Sequence, residues 1–127
     1  MYQAEVTHNK ELNFTARTGK AEFIIDAKSD GITPLDALLA GLASCIGVYI
    51  RKYAEGSKLE LNNFKVKASA ELSKEAPVCF KYIEVVIDLK GACLEERRVN
   101  ALLNFIKNCP AHGTLKNNPQ IEFKLSC

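Results

Sequence analysis

The chain has 127 residues, of which 25% are charged and 47% hydrophobic, and a formal net charge of +2. That length suits one domain over residues 1–127, able to bury about two-thirds of its unfolded surface. So small a net charge argues against nucleic acid or an acidic membrane surface as the main partner, and five cysteines without an export signal read as reduced thiols of a cytoplasmic protein.

Tyr2–Val6 and Glu11–Ala16 have strand character, with Leu12, Phe14 and Ala16 on one side and His8-Asn9-Lys10 as the intervening turn. Arg17-Thr18-Gly19-Lys20 makes a second turn, and Ala21–Ala27 a third strand carrying Phe23 and Ile25 on one side. Together they predict an antiparallel meander. Ser29-Asp30-Gly31 is expected as a loop into the next element.

That element is a helix running from Pro34 to Ile50. Thr33 suits the cap and Pro34 the first helical position, where a missing N–H costs nothing. Asp36 completes a capping box and favours the positive end of the dipole. From Leu35 to Ile50 only Asp36 and Ser44 are more polar than Cys or Tyr, so no face is free of apolar residues. Such a helix must be surrounded by protein or lipid. Protein is the better fit, because the apolar run falls short of the roughly 20 residues that span a bilayer and Arg51-Lys52 close it. Gly41 and Gly47 weaken the helix and suggest close approach of another element. One sheet covers only one side, so a symmetric dimer with helices at the centre and sheets outside is expected. The alternative is a monomer whose second helix and loops cover the other face.

After Gly56-Ser57, two longer strands are expected. Leu61–Leu72 places Phe64, Val66, Ala68 and Ala70 on one face. Phe80–Lys90 sets Ile83, Val85, Ile87 and Leu89 against Tyr82, Glu84, Val86 and Asp88. Ser73–Val78, with Pro77, fits their hairpin connection. Leu94–Lys107 returns to helical period through Val99, Leu102, Leu103 and Ile106. Asn117-Asn118-Pro119 turns the chain into a last strand, Ile121–Leu125. The order β-β-β-α-β-β-α-β makes the fold α+β.

The chemistry rests on thiols. Cys79 and Cys93 read as small hydrophobes, and Cys127 as an incidental exposed thiol. Cys45 on its own also reads as core filling. Cys109 precedes Pro110, which cannot continue a helix but can begin one, so Cys109 becomes the cap of a short turn whose dipole favours a thiolate. Cys45 lies well inside its helix and would need a cation from elsewhere; Arg17 is the candidate. Cys109-x-x-His112 has the spacing of half a metal site, and Cys45 could add a third ligand.

Thr33-Pro34-Leu35-Asp36-Ala37-Leu38-Leu39-Ala40-Gly41-Leu42-Ala43-Ser44-Cys45, followed by Cys109-Pro110-Ala111-His112-Gly113-Thr114-Leu115, resembles the OsmC/Ohr family. The resemblance implies thiol peroxidase chemistry in an intertwined homodimer, with the central apolar helix packed against antiparallel sheets and no cofactor. Cys45 would be the peroxidatic thiol that becomes a sulfenic acid. Cys109 would resolve it to a disulfide that a dithiol reductant reopens, and the substrate would be a small apolar hydroperoxide. Active members of the characterised branch carry Glu where this chain has Leu35, and that Glu orients the Arg that activates the thiolate. Here the acid is Asp36, turned about 100° around the helix, as in a smaller branch of the family. Asp36 is therefore either an Arg-orienting acid or a helix cap. The alternative functions are a non-catalytic redox sensor or apolar-ligand binder, and a metal-binding protein using Cys109, His112 and Cys45.

Overall fold

The computed structural model describes residues 1–28 and 31–127. Ser29 and Asp30, from the loop expected before the first helix, lie outside the described residues. Two compact units are present, Met1–Ala40 and Gly41–Cys127.

The first unit holds β1 (Glu5–Lys10), β2 (Asn13–Thr18) and β3 (Ala21–Asp26), an antiparallel sheet in the order β1-β2-β3. The meander is as expected, but its first turn is displaced. His8, Asn9 and Lys10 belong to β1, and the chain reverses at Glu11-Leu12, where Glu11 takes a positive φ of 47°. Polar side chains that suggested a turn instead brace the hairpin. Asn9 Nδ2 donates to Asn13 Oδ1 and Thr15 Oγ1, and His8 Nε2 contacts the Glu11 carbonyl at 2.9 Å. The register slips between His8 and Lys10, so the strand ends irregularly. Arg17 is likewise a strand residue; the second turn is made by Gly19-Lys20, with Gly19 at φ +50°.

Helix α1 spans Pro34–Ser57. Its start follows expectation: Thr33 Oγ1 accepts the Asp36 N–H at 3.2 Å, and the Thr33 carbonyl takes the Ala37 N–H. Its end does not. Arg51 and Lys52 extend the helix rather than closing it, because Arg51 pairs with Glu55 one turn on at 3.3 Å. Termination comes at Lys58, in the left-handed region at φ 58°. There the N–H groups of Leu59 and Lys58 return to the carbonyls of Ala54 and Glu55. At 24 residues the helix is long enough to cross a bilayer by length and composition. Its stripe Leu42, Ile46, Ile50 and Ala54, however, packs into a core with Leu61, Leu102, Ile106 and Cys109. Only 17% of its apolar window is buried within this chain, so most of the helix surface is left for other cover.

In the second unit, β4 (Lys65–Leu72) and β5 (Phe80–Asp88) form an antiparallel pair. The faces are as the alternation predicts: Phe64, Val66, Ile83, Val85, Ile87 and Leu89 pack against the core, while Tyr82, Glu84, Val86 and Asp88 are exposed. Ser73 organises the connection, since its N–H donates to the Cys79 carbonyl and its Oγ accepts the Cys79 N–H. Gly47 meets Phe64, where an added Cβ would come within 3.7 Å of the ring, but at Gly41 none of the described residues outside the helix's own nearby backbone lies within 4 Å of such an atom.

Two short helices complete the fold, α2 (Glu96–Ile106) and α3 (Pro110–Lys116). In α2, Leu102 and Ile106 are buried as expected, whereas Val99 and Leu103 are exposed. Ile121–Leu125 is not a strand: among the described residues it has no ladder partner, and Ile121, Phe123 and Leu125 are exposed. Alternation prepares a segment for a sheet, but only pairing makes a strand. The observed order is β-β-β-α-β-β-α-α, still an α+β fold.

Candidate functional site

Cys109 is set where two helices meet. The last turn of α2 ends with the Cys109 N–H on the Ile106 carbonyl, and the chain then extends at Cys109, φ −63° and ψ 133°. Pro110 has its φ already fixed for a first helical position and starts α3. Cys109 is thereby the cap: its Sγ accepts the His112 N–H at 3.3 Å, and its carbonyl takes the Gly113 N–H at 3.0 Å. The residue is fully buried.

Cys45 lies in α1 beside the buried stripe, half-buried and packed against the core cluster that contains Cys109. Cys45 is near enough that its side chain helps to raise the Cys109 thiol above its ordinary value. The turn at Cys109 and the middle of α1 thus contribute to one core cluster. All five cysteines are free thiols.

The expected thiolate-favouring effect of the turn at Cys109 is overruled. Burial pushes the Cys109 thiol above its ordinary value, and the Cys45 side chain pushes in the same direction. The N–H groups of His112 and Ala111 act the other way and do not prevail. Cys109 thus holds its proton more tightly than an exposed thiol would.

Arg17 and Asp36 stand in the unit Met1–Ala40, each with its own surroundings. Arg17 Nε pairs with Glu22 Oε2 at 2.8 Å, directly across β2 and β3, with both side chains about half exposed. Glu22 was not singled out from the sequence. A tight turn at Gly19-Lys20 would have placed it opposite Arg17, and that register was the available signal. The Asp36 carboxylate is exposed and, among the described residues, makes no return bond to Thr33; only the Thr33 half of the capping box is formed.

His112 does not complete a metal site. Its Nδ1 contacts the Lys107 carbonyl at 3.0 Å while its backbone N–H serves Cys109. Among the described residues no three His, Cys, Asp or Glu side chains converge on one point. Cys79 and Cys93 are exposed and not core filling; Cys127 is exposed, as read. A feature that the sequence reading missed is the aromatic stack beside the thiols. Tyr49 lies one turn beyond Cys45, and its ring meets Phe105 of α2 with centroids 5.7 Å apart.

The chain is similar to known proteins over most of its length. A family model described as OsmC-like protein matches residues 27–124. A hydroperoxide reductase of Mycoplasma genitalium is 27% identical over 132 residues, covering 98% of this chain and 94% of that protein. Among solved structures, the OsmC like protein from Mycoplasma pneumoniae superposes with a TM-score of 0.81 at 22% identity, covering 93% of this chain and 89% of the other. The organic hydroperoxide resistance protein OhrB of Bacillus subtilis gives 0.66 at 22% identity, covering 91% and 92%.

Proposed function

As the chain belongs to the OsmC-like protein family, we propose that it reduces organic hydroperoxides through Cys45 and Cys109 and is reset by a dithiol. The observation that carries this reading is that two free thiols meet at one core cluster, Cys109 buried within it and Cys45 packed against it. The similarity to a hydroperoxide reductase gives it further support.

Each step balances with these two sulfurs. The Cys45 thiolate attacks the outer peroxide oxygen; an S–O bond forms as the O–O bond breaks, and the alkoxide takes a proton and leaves as alcohol. Cys45 is then a sulfenic acid. The Cys109 sulfur attacks it, an S–S bond forms, and hydroxide departs with the Cys109 proton as water. A dithiol restores both thiols by two exchanges and is itself oxidised to a disulfide. A buried, protonated Cys109 does not compete with Cys45 for peroxide, which suits the division of roles. The apolar surroundings favour alkyl over hydrogen peroxide.

The working form is proposed to be a homodimer in the cytoplasm, where a reducing pool keeps the thiols free. The test is peptide mapping after one equivalent of cumene hydroperoxide. A Cys45–Cys109 disulfide, reversed by dithiothreitol, is expected. Cys109→Ser should leave Cys45 as sulfenic and then sulfinic acid, and Cys45→Ser should leave Cys109 unmodified. Two unchanged thiols would reject the reading and favour a non-catalytic binding protein.

A further inference from the structure

Apart from the thiol pair, Arg97, Arg98, Tyr53 and Ala101 line an open groove of about 340 Å³, within the range of small-molecule sites. One wall is fixed: the half-buried Tyr53 ring stands against Phe105, with centroids 5.7 Å apart. The charges are less settled. Arg97 and Arg98 occupy the first turn of α2, where the helix dipole is already positive and cations are disfavoured. Arg97 has a partial answer in Glu95 at 3.2 Å, both side chains being widely exposed. Arg98 has none: it is half-buried, and among the described residues its guanidinium makes no ion pair or hydrogen bond. A planar guanidinium facing a groove with an aromatic wall is complementary to a carboxylate on an apolar body, which it can hold through two parallel N–H bonds.

We propose that this groove is a binding site for an organic carboxylate, the carboxylate held by Arg98 with support from Arg97 and the apolar part lying on Tyr53 and Ala101. The site stands independently of the redox chemistry and needs neither thiol. The anion would relieve the like charges at the start of α2, so binding should weaken as salt rises.

Calorimetric titration of the reduced protein with octanoate, 1-octanol and acetate tests it. Octanoate should bind saturably and at least about tenfold more tightly than either control, since one needs both the charge and the apolar body. Arg98→Gln should cost about tenfold in octanoate affinity with an unchanged circular dichroism spectrum, and Arg98→Lys, which keeps the charge but loses the planar fork, should fall between. A double variant with serine at positions 45 and 109 should bind as the parent does. Octanol binding as tightly as octanoate, full affinity in Arg98→Gln, or loss of binding in the double serine variant would each overturn the proposal.

Discussion

Cys109 carries a pH signature that belongs to the residue rather than to the fold. Its thiol sits above the ordinary value of 9.0 in the folded chain, chiefly through burial. Because the folded state holds this proton more tightly than the unfolded one, the contribution to stability is complete below the unfolded thiol value. It is lost as pH rises through the folded one. Urea midpoints should therefore fall more steeply above about pH 9 in the parent than in Cys109→Ser, and parallel curves for the two would remove the argument. At the other helix start, Thr33→Ala removes an observed capping bond and should cost about 1 kcal/mol. Asp36→Asn loses only a dipole interaction of about 0.3–1 kcal/mol. If Asp36→Asn instead leaves stability intact and reduces peroxide reactivity by orders of magnitude, Asp36 belongs to the site. Cys109 and Thr33 were legible because each directly precedes a residue with one strong backbone preference, Pro110 or Pro34, whereas Cys45 stood out only through the resemblance. The Arg17–Glu22 pair was not, since it depends on a hairpin register that side-chain types leave open.

At the scale of elements, hydrophobic period was informative wherever an element buries one face. The alternation in β4 and β5 and the spacing of Leu102 and Ile106 in α2 agree with the observed faces. It failed where local hydrogen bonding decides, at the Glu11 turn and at the end of α1, and over residues 121–125, which have no ladder partner among the described residues. The apolar run ends at Ile50, yet the helix continues through Arg51 and Lys52 to an end set by the return bonds of Lys58 and Leu59. The core of α1 offers a direct test. Ile50 is fully buried, so Ile50→Ala should lower the unfolding free energy by about 2–5 kcal/mol. Val48 lies about 200° around the helix from Ile46 and is 51% exposed. Val48→Ala should leave the unfolding of an isolated chain nearly unchanged, and any larger loss seen by chemical denaturation at high protein concentration then reports a contact between chains.

That difference leads to the assembly as a whole. A two-stranded sheet such as β4–β5 is marginal alone and leaves both edges unpaired, while Phe123 and Leu125 are 91% and 98% exposed on a segment that alternates like a strand. Val48 adds an apolar side chain on the face of α1 opposite the buried stripe. In a two-fold dimer one contact serves both features twice, which is the economical arrangement for a chain of this size. The proposed homodimer then predicts two separable results. Sedimentation at micromolar concentration should give a dimer that Val48→Glu converts to a folded monomer, because a carboxylate placed in an apolar interface must be desolvated without a partner. Amide exchange should show slow hydrogens over residues 121–125 in the dimer and fast ones in the Val48→Glu monomer, as expected if the segment adds to a sheet edge of the second copy. A parent protein that sediments as a folded monomer rejects the dimer. A dimer whose residues 121–125 exchange as fast as in the variant retains the helix contact and rejects strand addition, leaving the apolar side chains of that segment to be covered in another way.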